Sequence, residues 1–266
     1  MGNIGWIHAE DYSFDCMLRM ERFQIRIMLE SLNEETAAAM AVALKANPKA
    51  AWLFEHKCTE KADFVRALIA QAPAVLAPDQ IRAAEIRILD EFEDFVIYTT
   101  PEVMEEKCDF IYGWKKERLY EICDLEGKTV LDVGSGTGRL AFAAAEKAAF
   151  VVASEPVDSL REFIRDRIVR NGIRNMRVCD GLCHCLPFPD NSFDVVMSGH
   201  VVGDFFREEV DELTRITKPG GWLLDVPGDQ HCETGRNEQL LADGWEELPY
   251  PGTFGRTTYR YRKQTG

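Results

Sequence analysis

Residues 128–148 read KTVLDVGSGTGRLAFAAAEKA, and their grammar decides the fold. TVLDV is a short apolar run of the kind buried on both faces of a parallel sheet. It passes directly into GSGTG, then into RLAFAAAEKA, which has helical composition. Glycine at such a turn permits positive φ and leaves no Cβ between backbone and ligand. The helix that follows turns free N–H groups and the positive end of its dipole toward the loop. Gly134, Ser135, Gly136 and Gly138 therefore read as a cradle for a ligand with a nucleotide-like part.

Two acids narrow the ligand. The dinucleotide fingerprint is G-x-G-x-x-G, whereas the spacing here is G-x-G-x-G, with Asp132 two residues before the first glycine. A carboxylate there repels a pyrophosphate and suits the ammonium of an amino-acid moiety. Glu155 stands 21 residues beyond Gly134, after the apolar run FVVAS. It can accept from both ribose hydroxyls, as acids do in NAD sites too, or it can be a plain acid at a helix N-terminus. Three glycines, two acids and the strand context together are more than a tight turn needs.

Outward from this unit the pattern repeats. FVVAS (150–154), MRVC (176–179), FDVVMS (193–198) and GWLLDV (221–226) read as strands. Helical stretches lie between them, among them DSLREFIRDRIVRNG and REEVDELTRITKPGG, the latter with a Pro-Gly stop. Strands alternating with helices predict an α/β domain, a doubly wound and mostly parallel sheet with right-handed crossovers. WEELPYPG and RTTYRYRK read as a hairpin closing one edge. Residues 1–118 carry helical signals instead and form an all-helical domain; the α/β domain is expected over 119–266. DCMLRMERFQIRIMLESL reads as one helix. Asn33 caps a second, Thr59 a third, Pro78 opens one reaching Tyr98, and Thr100-Pro101 start a last one.

The ordered set VLDVGSGTGRL, ASEP, CDGLCHCLPFPDNSFDVVMS and LTRITKPGGWLLDV resembles the successive motifs of class I S-adenosylmethionine-dependent methyltransferases, over about residues 120–265. The resemblance implies a Rossmann-like, seven-stranded sheet with its last strand antiparallel, and S-adenosyl-L-methionine as cofactor. It implies that Gly134, Ser135, Gly136 and Gly138 admit the methionine and ribose portions. It further implies that Asp132 orders the amino group, directly or through water, and that Glu155 holds the ribose. Asp180 would bond the adenine amino group, with the backbone of Gly181 and Leu182 reading the ring edge. Ser198 and Gly199 would line the methionine end. GLCHC puts five residues between Asp180 and Leu186, where family members commonly have about three; that departure bears on Leu182 and Cys183. By its residues alone, Asp180 is also a plausible turn aspartate before Gly181.

The implied reaction is methyl transfer to a small-molecule acceptor by in-line displacement, which needs positioning and a desolvated approach. His200, in SGHVVGD after the fourth strand, is the candidate acid/base or substrate-orienting residue; ordering its own loop is the alternative. Asp204 is a weaker candidate and could instead cap the next helix. Tyr98, Thr99 and Thr100 could close over the cofactor from the helical half, and Tyr112 and Trp114 could be pocket or core. The helical domain would cover the site and set specificity, or present a homodimer surface. A fold retained for S-adenosylmethionine binding or regulation without catalysis is the alternative from another class, and an NAD-linked oxidoreductase is disfavoured by Asp132 and the glycine spacing.

Sulfur crowds one stretch. Cys179, Cys183, His184 and Cys185 are too close together for one tetrahedral zinc site, and no metal site is assigned. A thiol or soft metalloid substrate held by Cys183, Cys185 and Cys232 is conceivable; thiols lining an adenine pocket are the plainer reading. The net charge of −14 divides evenly, since residues 1–120 hold 14 basic and 21 acidic residues, leaving 17 and 24 for the remainder. Neither half has the basic surplus that nucleic acid would require. The six arginines of 161–177 read as a solvated helix face. No stretch suggests a membrane span or signal peptide, and the scattered cysteines fit a cytoplasmic setting.

Overall fold

The computed structural model describes residues 5–203, 205–231 and 235–266. The chain divides into two compact units, Met1–Val103 and Met104–Gly266.

In the first unit the long helical readings break where the backbone has a reason to break. The first expected helix is a 3₁₀ segment, Phe14–Arg19, followed by extended Met20 and Glu21 and then helix Arg22–Glu30. The Gln24 side chain accepts from the Glu21 N–H at 2.8 Å and restarts the helix. Asn33 caps helix Glu34–Ala46 as expected, its side chain accepting from Thr36 N–H at 3.0 Å. Thr59 is no cap: it opens a 3₁₀ turn ahead of helix Ala62–Ala70. The helix opened by Pro78 ends at Glu91, and Phe92 (φ −114°, ψ 39°) separates it from Glu93–Tyr98. Met28, Met40, Leu44, Phe54, Ile88 and Leu89 are fully buried and form the heart of this unit.

The second unit is built on a seven-stranded sheet: β1 (Thr129–Val133), β2 (Phe150–Ser154), β3 (Met176–Cys179), β4 (Phe193–Ser198), β5 (Thr217–Asp225), β6 (Glu246–Pro251) and β7 (Thr257–Gln264). Spatial order is β3-β2-β1-β4-β5-β7-β6. The first five strands pair in parallel, and β7 runs antiparallel to both its neighbours. β1 sits at the centre, with Val130 opposite Val151 on one side and Val195 on the other. Side-chain alternation sends Val130 into a core with Leu140, Ala141 and Ile164, and Leu131 and Val133 into a core with Leu213, Ile216 and Leu223. Strand order reverses between β1 and β4, so the carboxyl ends of these strands open the crevice in which such sheets take ligands.

Two readings are corrected. The stretch TKPG is not a helix stop; the helix Phe206–Ile216 ends earlier and Thr217 already belongs to β5. Pairing slips between Phe193↔Thr217 and Val195↔Trp222, because Pro219-Gly220 form an irregularity, with Gly220 at φ +76°. The expected boundary at 118/119 also differs from the division at Val103. Trp114 lies under the Arg139 guanidinium, and Gly113 carbonyl accepts from Thr253 Oγ1 at 2.7 Å, so 104–118 pack with the sheet. Among the described residues no helix is long and apolar enough to cross a membrane.

Candidate functional site

The glycine loop is pulled against the end of β2. Gly134 and Ser135 N–H both donate to the Ser154 carbonyl, at 2.8 and 3.1 Å. Gly134, Gly136 and Gly138 all have positive φ, at +63°, +58° and +92°, where an L side chain is strained. A Cβ on Gly134 would also stand 2.4 Å from Val201 Cγ2, and one on Gly138 would stand 2.6 Å from the Phe142 ring. Gly136 differs: only the flexible end of Met104 comes near, at 3.2 Å. Its Cα face is the open face of the loop, the place where a side chain would fill space rather than strike the fold.

Asp132 and Glu155 hold this loop from below and from the side. Asp132 is buried, and its Oδ2 accepts from Ala141 N–H at 3.0 Å, tying β1 to the first turn of helix Arg139–Ala145. Burial pushes its pKa up to about 7, opposed by Arg139, the Ser135 hydroxyl and the Ala141 N–H. The Glu155 carboxylate accepts from Gly136 N–H at Oε2 and from Val157 N–H at Oε1, both at 2.8 Å. Burial pushes it too up to about 7, the two N–H groups and Arg161 pulling down and Asp132 adding to the rise. A carboxylate fixed by two backbone donors keeps further lone pairs in a fixed direction. That is a suitable acceptor for a pair of vicinal hydroxyls.

Asp180 lies exposed after β3, 3.6 Å from Arg161. Arg161 also donates to the Glu155 carbonyl at 2.8 Å and pairs with Asp158 at 2.9 Å. One arginine of the run read as a solvated face thus turns inward and joins the ends of β2 and β3. Gly181 admits the loop closely, since a Cβ there would meet Ser154 Oγ at 2.5 Å. The two extra residues of GLCHC fold into a tight turn, with Cys185 N–H donating to the Leu182 carbonyl at 2.8 Å. Leu186 and Pro187 then return against Gly181. Glu212 secures the return by accepting from Leu186 N–H at 2.7 Å.

That turn sends the sulfurs apart. Cys183 is buried in the core beside Leu186 and Leu213, and burial pushes its thiol up, away from the thiolate a metal would need. Cys185 is exposed. His184 packs against Phe205. Among the described residues no group of three potential ligands could hold a metal ion. Cys232, the third thiol of the metalloid reading, and Asp204, the weaker acid candidate, lie outside the described residues.

The ends of β4 and β5 form the far wall. Ser198 Oγ donates to Asp225 Oδ1 at 3.1 Å; burial pushes Asp225 up to about 6, with Ser198 and Arg139 opposing. Arg139 stacks on Trp114 and donates to the Val226 carbonyl at 2.8 Å, while its Nη1 is buried with no hydrogen-bond partner among the described residues. Burial lowers Arg139 to about 10, and Asp132, Tyr250, Asp225 and Asp229 support its charge. A Cβ on Gly199 would meet that guanidinium at 2.7 Å. His200 follows with φ +64°, a left-handed conformation that non-glycine residues adopt rarely and at functional sites disproportionately. The residue is exposed, with its ring 5.3 Å from Phe110 and its Nε2 3.4 Å from Gln230 Nε2. Enclosure, then Arg139, pushes its pKa down to about 4, with Asp109 opposing; water reaching the open ring offsets part of this. The neutral imidazole is the form present at physiological pH.

Beside it stands a pair absent from the sequence reading. Asp109 Oδ2 accepts from both His231 N–H, at 2.7 Å, and His231 Nδ1, at 3.2 Å. Their separation of 122 residues leaves no local pattern to find. Arg139, Asp225 and Arg161 were missed for the same reason, each reading locally as an ordinary helix or strand-end charge.

A doubly wound sheet with a glycine turn after β1, an acid after β2 and polar ends on β4 and β5 defines the Rossmann-like class of nucleotide-cofactor domains. Residues 131–225 match the family model described as a methyltransferase domain. A demethylmenaquinone methyltransferase from Listeria monocytogenes is 27% identical over 55% of this chain and 64% of its own length. A ubiquinone/menaquinone biosynthesis C-methyltransferase from Francisella tularensis subsp. novicida is 30% identical over 42% of this chain and 47% of its own. The chain thus spans less than two thirds of these curated relatives. A crystal structure of an S-adenosylmethionine-dependent methyltransferase from Aquifex aeolicus shares the fold, at 18% identity and TM-score 0.52, over 62% of this chain and 98% of that one. The match thus places a methyltransferase domain within the α/β unit, over residues 131–225.

Proposed function

We propose that this protein transfers the methyl group of S-adenosylmethionine to a small-molecule acceptor at the β1–β4–β5 crevice. The observation that carries the reading is Glu155. Its carboxylate is oriented by Gly136 and Val157 N–H at the mouth of a loop whose Gly136 face is open. Two vicinal hydroxyls and an adjoining chain fit that combination of acceptor and cleared backbone. When bound, the cofactor supplies a methyl group already activated on a sulfonium sulfur.

The chain's own residues then bind and orient. Gly134, Ser135, Gly136 and Gly138 admit the methionine and ribose portions to the backbone. Asp132 accepts Ala141 N–H and keeps the loop in register, acting on an ammonium at one remove. Asp180 with the backbone of Gly181 and Leu182 takes the adenine edge, and Ser198 and Gly199 take the methionine end. His200, neutral and exposed, orients the acceptor by hydrogen bonding. The relatives are named for quinone methylation. Phe110, Tyr112 and Phe254 around the His200–His231 wall favour a flat aromatic acceptor here as well.

Calorimetry with S-adenosylmethionine and its demethylated product tests the site, with binding expected and a Gly136→Asp variant losing it. Methyl transfer from labelled cofactor to 1,4-dihydroxynaphthalene, simple phenols, thiols and amines tests the activity. Tight cofactor binding with no transfer to any of them would favour a binding or regulatory protein. Absence of cofactor binding would overturn the reading.

A further inference from the structure

We propose that His231 is the general base for the methyl acceptor and that Asp109 is the residue that positions it. The inference rests on the methyl-transfer reading above and adds the proton acceptor that reading lacks. Asp109 is nearly buried, and both its oxygens are committed. Oδ1 accepts from Phe110 N–H at 2.9 Å, and Oδ2 accepts from the backbone and ring of His231. Holding both ends of one residue fixes its rotamer. Phe254 closes on the ring with centroids 3.6 Å apart and planes at 30°. Yet the His231 side chain keeps 61% of its surface exposed. Clamping an exposed ring costs side-chain entropy without the gain of burial; a purely structural histidine would be buried by the same contacts.

The clamp also selects a tautomer. With Nδ1–H donating to Asp109, Nε2 carries the free lone pair. Nε2 has no hydrogen-bond partner among the described residues. The pair adjoins the methyl-transfer wall. Gln230, next to His231, reaches His200, and Phe110, next to Asp109, packs on the His200 ring. His200 and His231 thus divide the work: His200 stays neutral beside Arg139, whereas His231 is oriented by a carboxylate at Nδ1.

The acceptor class follows from the aromatic wall: a phenol, enol or hydroquinone. Its O–H proton passes to His231 Nε2. The electron pair left on oxygen, or delocalised onto an adjacent ring carbon, forms the new bond to the methyl carbon. The C–S bond breaks as this bond forms, and its pair leaves on sulfur. Where carbon is the nucleophile, the protonated His231 returns its proton to the ring oxygen while the methylated carbon gives its own proton to solvent water, and the ring regains aromaticity.

Two measurements on the full chain test this. Long-range proton–nitrogen spectra of protein labelled with ¹⁵N-histidine should show His231 as the Nδ1–H tautomer, and Asp109→Asn should abolish that preference. Transfer from labelled S-adenosylmethionine to 1,4-dihydroxynaphthalene should fall about 100-fold or more in kcat for His231→Gln, with cofactor affinity unchanged by calorimetry. Should Asp109→Asn fold poorly, His231→Ala keeps the test sharp, because added imidazole should restore part of its turnover. An Nε2–H tautomer in the native protein, native turnover by His231→Gln, or binding of the cofactor with no transfer to any phenol would each overturn the dyad. Failure to bind the cofactor at all would overturn the methyl-transfer reading and the dyad with it.

Discussion

Three glycines with the same backbone strain but different surroundings separate what the loop does for stability from what it does for binding. Gly127, Gly134 and Gly136 have φ of +69°, +63° and +58°. Alanine at any of them incurs the left-handed penalty of about 1–2 kcal/mol. At Gly127 nothing lies within 4 Å of the added Cβ, so that penalty is the whole effect. At Gly134 the methyl would meet Val201 Cγ2 at 2.4 Å and Cγ1 at 3.3 Å. Valine is stiff about χ1 and cannot swing both methyls clear, so overpacking adds about 1–3 kcal/mol. Gly134→Ala should therefore lose about 2–5 kcal/mol in all. At Gly136 the one described atom within 4 Å is the Met104 Cε, the end of a flexible side chain, at 3.2 Å, so Gly136→Ala should cost about as much as Gly127→Ala. Urea unfolding of the three variants, with calorimetric titration of S-adenosylhomocysteine, reads both quantities. Gly127→Ala should bind normally, whereas Gly136→Ala should be nearly as stable yet bind at least about tenfold more weakly, or ~1.4 kcal/mol. The reasoning fails at Gly134 if that variant matches Gly127→Ala in stability, and at Gly136 if that variant binds like the native protein.

The raised acids make binding and stability depend on pH. Glu155 rises from 4.5 to about 7 on folding, so the native state keeps a proton that the unfolded chain releases. Its contribution to stability is full below about pH 4.5 and is lost as pH climbs toward 7. A ligand donating hydroxyls to this carboxylate favours its ionised form, so cofactor affinity should rise with pH up to about 7 and then level. Calorimetry in buffers of different ionisation enthalpy should detect the released proton, and Glu155→Gln should flatten the profile; a flat native profile would remove Glu155 from the ribose. Arg139→Met removes the bond to the Val226 carbonyl and the charge facing Asp132 and Asp225. It should destabilise by about 3 kcal/mol at pH 8 and less at pH 5, where both acids are already protonated. Equal losses at the two pH values would show that packing on Trp114 alone matters.

The α/β unit was legible in the sequence wherever local patterns carried its physics. β2, β3 and β4 begin and end where FVVAS, MRVC and FDVVMS do; β4 is apolar because it is buried along most of its length, whereas β3 lies at the sheet edge with Arg177 exposed and is bounded by turn residues at its ends. β5 was read short because its irregularity at Pro219-Gly220 looks locally like a helix stop. The helices of the first unit were merged for a similar reason: Met20, Glu21 and Phe92 have helical neighbours, and only their backbone conformation shows the breaks.

The site divides along the same line. Gly134, Gly136, Gly138 and Glu155, the proposed cofactor residues, could be singled out because a glycine turn and the acids at strand ends are written in short stretches of sequence. Asp109 and His231 were not, because a proton-accepting pair needs only one contact and imposes no composition on either strand of sequence. Asp109 stands in a short helix, Asp109–Tyr112, and His231 lies in the loop after β5. Closure of the sheet alone brings them together. The proposed cofactor recognition is a property of a loop and is written in a short stretch of sequence; the proposed acceptor chemistry is a property of the fold's far wall and is assembled from distant residues. The matched region, 131–225, includes neither Asp109 nor His231, so likeness over that region informs the cofactor and leaves the acceptor to be decided by residues outside it.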